Sequence, residues 1–167
     1  PENAQPFNFA FRDHVISIAH NGNLVNGRQL RDEYECRGQI FCSTTDTELI
    51  AKVITEEMSN SGCIEDAVHR CMRVLRGSYS VVMMIDGVLY GFRDPLGIKP
   101  LCLGRTPKGL IIASESVAID ALGGTFLRDV APGELICIDG EGMRSMQIAR
   151  ASRRAHCIFE YIYFARA

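Results

Sequence analysis

The chain has 167 residues, 47% of them hydrophobic and 23% charged, with a formal net charge of −2. That length suits one ordinary domain, which at this size buries roughly 70% of the surface an unfolded chain exposes. The near-neutral charge excludes a global basic field for nucleic acid, and no run approaches the roughly 20 apolar residues of a membrane span.

In chain order, residues 14–20 alternate and read as a strand, which Asn21-Gly22-Asn23 would end. A helix follows over about 26–36, with Gly38 as its stop. Thr45-Asp46-Thr47-Glu48 has the form of a capping box and opens a helix striped with Leu49, Ile50, Val53, Ile54 and Met58. In the next helix Ile64, Ala67, Val68, Cys71, Met72 and Leu75 make one continuous apolar face. Strands at 78–85 and 88–92 are joined by Asp86-Gly87, which favours a type I′ turn. A second strand pair, 101–103 and 110–113, precedes a short helix at 114–122 that stops at Gly123-Gly124. A hairpin over 135–138 and 143–148 comes next, then a basic link at 150–156 and an aromatic strand at 157–164. Helices grouped ahead of antiparallel strands predict an α+β fold with a helical layer on a sheet.

The seven cysteines, at 36, 42, 63, 71, 102, 137 and 157, form no C-x-x-C pair and no zinc-type spacing. Most lie in apolar runs, where Cys acts as a small buried hydrophobe, and they point to a reducing, cytoplasmic compartment. An iron–sulfur ligand set cannot be assembled from them alone. The start, Pro1-Glu2-Asn3-Ala4-Gln5-Pro6, is polar and carries no signal-peptide core. The missing initial Met, and an aromatic run that stops at Ala167, suggest a piece of a longer protein.

Three stretches carry chemistry. His20-Asn21-Gly22-Asn23-Leu24 offers a side-chain amide beside a glycine N–H, which suits an oxyanion hole; Asn-Gly is equally a common turn dipeptide. Asp46 could bind a ligand ammonium, or simply complement the dipole of the helix it starts. Arg93 and Asp94, in a stiff turn with Pro95, Gly97 and Pro100, read as a buried structural pair. His69 reads as solvated on its helix, and His14 and His156 have no visible partner.

Taken together, Ala19-His20-Asn21-Gly22-Asn23-Leu24-Val25-Asn26, Ser43-Thr44-Thr45-Asp46-Thr47-Glu48, the turn from Arg93 to Leu101 and Ala113-Ser114-Glu115-Ser116 resemble the glutaminase domain of class II glutamine amidotransferases. These are N-terminal-nucleophile hydrolases. The resemblance implies an αββα sandwich over residues 1–150, here lacking its N-terminal strands. Asp129-Val130-Ala131-Pro132-Gly133-Glu134 and the run from His156 to Arg166 are similar to the branch in which the glutaminase leads into a phosphoribosyltransferase domain. Residues 151–167 would then be the link and first strand of that domain.

The resemblance implies site roles as well. Asn21 and Gly22 would form the oxyanion hole, and Asp46 would bind the α-amino group of glutamine. The family nucleophile is an N-terminal Cys whose α-amino group serves as base. Residue 1 is Pro here, and the family's carboxylate-gripping Arg has no match, so this chain alone is expected to release no glutamate from glutamine. Cys157 would be one ligand of a [4Fe–4S] cluster in members that hold one. The intact enzyme would use glutamine and phosphoribosyl pyrophosphate, take Mg²⁺ in its phosphoribosyltransferase domain and form a homo-oligomer, with neither nucleic acid nor membrane as partner. Two rival expectations are another class II amidotransferase, of the asparagine or glucosamine-6-phosphate synthetic type, and a catalytically dead binding domain.

Overall fold

The computed structural model describes residues 3–151 and residue 155. Among them lie β1 (Phe7–Phe11), β2 (His14–Leu24), α1 (Gly27–Cys36), α2 (Asp46–Ser61), α3 (Ile64–Val74), β3 (Gly77–Ile85) and β4 (Val88–Arg93). The second half contributes β5 (Cys102–Thr106), β6 (Gly109–Ala113), α4 (Ser116–Ala121), β7 (Thr125–Asp129), β8 (Glu134–Asp139) and β9 (Gly142–Gln147).

Local sequence explains most of these elements. The Thr45 hydroxyl caps α2 by accepting the Glu48 N–H, and Gly62 ends the helix at φ +70°. Only half of the expected capping box forms, because the Glu48 carboxylate reaches instead to the N–H groups of Cys42 and Ser43, at 2.8 and 2.6 Å. The β3–β4 hairpin turns on Asp86 and Gly87 at φ 49° and 85°, the two positive values that a type I′ turn requires.

The strands form two antiparallel sheets. The larger runs in the order β1-β2-β3-β4-β8-β9, the smaller in the order β6-β5-β7. Alternation along the strands gives the large sheet two apolar faces. Ile16, Ile18, Val81, Met83, Leu135 and Cys137 belong to a core shared with Leu49, Ile50, Val53, Ile54, Val68 and Cys71 of the helices. On the other face, Ile136 packs with Leu101, Leu103 and Val130, joined by Val82, Ile112 and Ile138. The sheets approach closely at Gly91, where a Cβ would come 2.7 Å from Ile112. Beyond the small sheet, α4 presses Ile119 onto Gly104 at a similar 2.6 Å. The layers are therefore helix, sheet, sheet, helix, the αββα sandwich that the resemblance implied. Each large side chain fully buried in them contributes about 1.5–3 kcal/mol.

The structure departs from the sequence reading at several points. β2 does not end at Asn21 but continues to Leu24, with Asn21 opposite Ser80 and Gly22 opposite Tyr79. β1 and β7 were not anticipated, although Phe7, Phe9 and Phe11 alternate as a strand should. His14 does have a partner: its Nδ1 lies 2.6 Å from Asp86 Oδ2. Cys71, Cys102 and Cys137 are buried, but Cys36, Cys42 and Cys63 are exposed, so only half of the six described cysteines behave as core residues. His69 is exposed, in line with its reading. The strand expected at 157–164 and His156 lie outside the described residues.

Candidate functional site

The site is built on the end of β2 that outruns its neighbour. Pairing with β1 stops at Phe7 opposite Ile18, so β2 has an open edge from His20 onward among the described residues. Which main-chain groups face that edge follows from Tyr79. Its N–H donates to Asp94 Oδ2 at 3.3 Å and its carbonyl accepts the Asp94 N–H at 2.9 Å, so both groups turn away from β2. In an antiparallel pair the opposite residue turns away too, which directs the Gly22 N–H to the open edge.

Every second N–H along this stretch has the same direction. That of His20 is taken by Gln5 Oε1 at 2.5 Å, and that of Leu24 by Asp46 Oδ2 at 2.8 Å. The Gly22 N–H stands between two donors that side-chain oxygens already hold. Gly22 itself sits at φ +145°, and a Cβ there would lie 2.0 Å from the Ser78 carbonyl oxygen. Only glycine allows this conformation and this approach. The Asn-Gly pair is thus part of a strand rather than the turn its composition suggested.

Asp46 opens α2, whose first turn also carries Glu48. Its carboxylate complements the helix dipole, as the plainer reading held, and also joins α2 to the end of β2. One oxygen is committed to Leu24, while Oδ1 lies beside Gly27, 2.9 Å from where a Cβ would sit. The structure therefore brings Asn21, Gly22 and Asp46 to one sheet end, although about two dozen residues separate them in sequence.

Other groups surround them, including His20 and Lys99 of the motifs that carry the resemblance. Burial lowers the pKa of His20, opposed by the nearby Asp46 carboxylate and reinforced by Lys99. His20 Nε2 and Ser80 Oγ are buried without a hydrogen-bond partner among the described residues. Lys99 arrives on the turn after β4, which is held from within. Arg93 donates to the carbonyls of Lys99, Gly97 and Val130 at 2.5, 2.8 and 2.9 Å. Asp94 accepts the N–H groups of Leu96, Gly97 and Ile98 at 2.9, 2.8 and 3.0 Å. Both residues are buried as expected, and these main-chain bonds satisfy them and stiffen the turn. Lys99 lies in the turn from Arg93 to Leu101 that the family resemblance includes, whereas no local pattern in the sequence could reveal Gln5 as a neighbour of the site.

Cys157 lies outside the described residues. Among those described, no group of three or more His, Cys, Asp or Glu side chains could hold a metal ion. Chemically, the arrangement offers amide and main-chain donors for a developing oxyanion and a carboxylate for a cation beside it.

The family model described as glutamine amidotransferase domain matches residues 1–121. The chain is similar to the amidophosphoribosyltransferase of Archaeoglobus fulgidus, 50% identical over 99% of this chain and 36% of that protein. The enzyme of the same name from Methanothermobacter thermautotrophicus is 43% identical, over 99% of this chain and 35% of its own. The solved glutamine phosphoribosylpyrophosphate amidotransferase from B. subtilis, complexed with ADP and GMP, superimposes with a TM-score of 0.90 at 38% identity, covering 99% of this chain and 36% of that one. A class-II glutamine aminotransferase domain protein from Silicibacter pomeroyi has the same fold at 16% identity, with a TM-score of 0.60 over 89% of this chain and 71% of that one. The chain spans about a third of the length of the curated relatives it matches.

Proposed function

The chain belongs to the glutamine amidotransferase domain family, and from that premise we propose that it is the glutaminase part of an amidophosphoribosyltransferase. In this reading the complete enzyme frees ammonia from glutamine at the end of β2. The ammonia then displaces pyrophosphate from phosphoribosyl pyrophosphate to give 5-phosphoribosylamine, the first step of purine synthesis. The observation that carries the reading is the bond from the Leu24 N–H to Asp46 Oδ2, which joins the carboxylate to the strand bearing Asn21 and Gly22.

The residues divide the work. A cysteine thiolate attacks the side-chain amide carbon of glutamine, and negative charge develops on the amide oxygen. The Asn21 amide and the Gly22 N–H donate to that oxygen. Collapse of the tetrahedral intermediate expels ammonia, and water then cleaves the thioester to release glutamate. Asp46 Oδ1 pairs with the substrate ammonium, the other oxygen being held by Leu24. The nucleophile does not come from a matching position of this chain, whose first cysteine is Cys36. In this reading Mg²⁺ would serve the phosphoribosyltransferase part.

Asn21→Ala in the full-length enzyme tests the reading. It should lower glutamine-dependent turnover about 10²–10³-fold, the usual effect of losing one oxyanion donor. A glutamate-release assay that finds wild-type turnover in this variant would remove Asn21 from the reaction.

A further inference from the structure

Asp46 can meet an ammonium only if the segment before it holds the first turn of α2 at a fixed place over the end of β2. That segment, residues 41–45, belongs to no helix or strand, and two charged side chains hold it. From within α2, Glu48 takes the N–H groups of Cys42 and Ser43 and, at 2.7 Å, the Ser43 hydroxyl. From α1, Arg31 donates Nη1 to the Ser43 carbonyl at 2.9 Å and Nη2 to the Thr45 carbonyl at 3.1 Å. The same guanidinium lies 4.1 Å from the centre of the Phe41 ring.

A helix start does not need this fork. The Thr45 hydroxyl already serves as the cap, and the Ser43 and Thr45 carbonyls are not among the N–H groups that an N-terminus leaves unpaired. What the fork adds is register: a planar group bridges two carbonyls, the second belonging to the residue just before Asp46.

We propose that Arg31 is a positioning residue for the site that receives the α-amino group of glutamine. It acts through the Ser43 and Thr45 carbonyls to hold Asp46, and so governs substrate affinity rather than amide cleavage. The inference rests on the reading of Asp46 as the ammonium partner. Glu48 is unsuitable for a test, because at 1% exposure its loss threatens folding. Arg31 is only partly buried and can be replaced with less risk.

The test uses the full-length enzyme with Arg31→Met, Arg31→Lys, Asp46→Asn and the Arg31→Met/Asp46→Asn double variant. Glutamate release is measured against glutamine concentration, with Tm recorded for each protein. Arg31→Met should raise the KM for glutamine about tenfold and leave kcat within about twofold, the signature of lost ground-state binding. Arg31→Lys should restore part of that loss. Arg31→Met should add little once Asp46 is Asn, because the two residues act on one contact. An unchanged KM in Arg31→Met, beside a raised KM in Asp46→Asn, overturns the role of Arg31 and leaves that of Asp46 intact. Full additivity in the double variant overturns it as well, and so does a fall in kcat that merely tracks a lower Tm. If Arg31→Met does not fold, Arg31→Lys carries the same comparison. An unchanged KM in Asp46→Asn overturns the ammonium reading itself, and the inference with it.

Discussion

The two ends of β2 are secured in opposite ways. At its start, His14 bonds Asp86 and the Val15 N–H donates to Asp86 Oδ1 at 3.0 Å, while the Asp86 N–H returns to the Val15 carbonyl at 3.3 Å. These bonds rivet the strand to the tip of the β3–β4 hairpin, and all of them are exposed to water or close to it. At its other end the strand has outrun β1, and the side chains of Gln5 and of Asp46, the first residue of α2, hold alternate N–H groups, with that of Gly22 lying between. The first arrangement closes a structure; the second leaves a donor directed outward in a half-buried place. A strand can be ended without creating a site, and the difference lies in whether a neighbour or a ligand is to complete the hydrogen bonding.

The largest effect should come from Gly22→Ala. The residue would be forced to a φ of +145° with its Cβ against the Ser78 carbonyl, at a cost of at least about 1–3 kcal/mol from the backbone conformation alone. Urea denaturation should show a lower midpoint; an unmoved midpoint would mean that this end of β2 is free to adjust and the contrast between the ends fails.

A smaller effect concerns His20. Burial, the main cause, holds its pKa below the ordinary value of 6.5, so the unfolded chain binds the proton more readily than the folded one. Stability is then complete above that value and declines as the pH falls from 6.5 toward the folded pKa. His20→Gln should flatten the change between pH 7.5 and 5.5, measured by denaturation at both (roughly the range of an ordinary histidine). An equal slope in both proteins would exclude His20 as its source.

The smallest effect belongs to the riveted end. The His14 hydrogen bond and the Val15 N–H lower the pKa of Asp86 from 3.8. Its contribution is present above that value and lost as the pH falls through the folded pKa. Asp86→Asn should alter only the acid limb of a stability profile, and little else, because the pair is solvated. A change at neutral pH as large as that of Gly22→Ala would make this end the more important one and reverse the comparison.

Much of the fold was legible because its causes are local. The apolar stripe from Ile64 to Leu75 and the Asp86-Gly87 turn specify their elements within a dozen residues, and both form as expected. β7 was missed because Thr125–Asp129 is largely exposed and owes its strand to pairing with β5. The site was legible in part. Its motif residues, Lys99 among them, could be recognised by type and order, but Gln5 and Arg31 come from other elements and had no local signal.

The sequence by itself determined the periodic elements, the hairpin turns and which residues belong to the family's motifs, since these depend on neighbours along the chain. Tertiary structure alone decided that Asn21-Gly22 lies in a strand, that the Gly22 N–H faces an open edge and that Asp46 meets Leu24. The physical reason is that a hydrogen bond's direction is set by the partner strand. That partner, β3, lies more than fifty residues further along the chain.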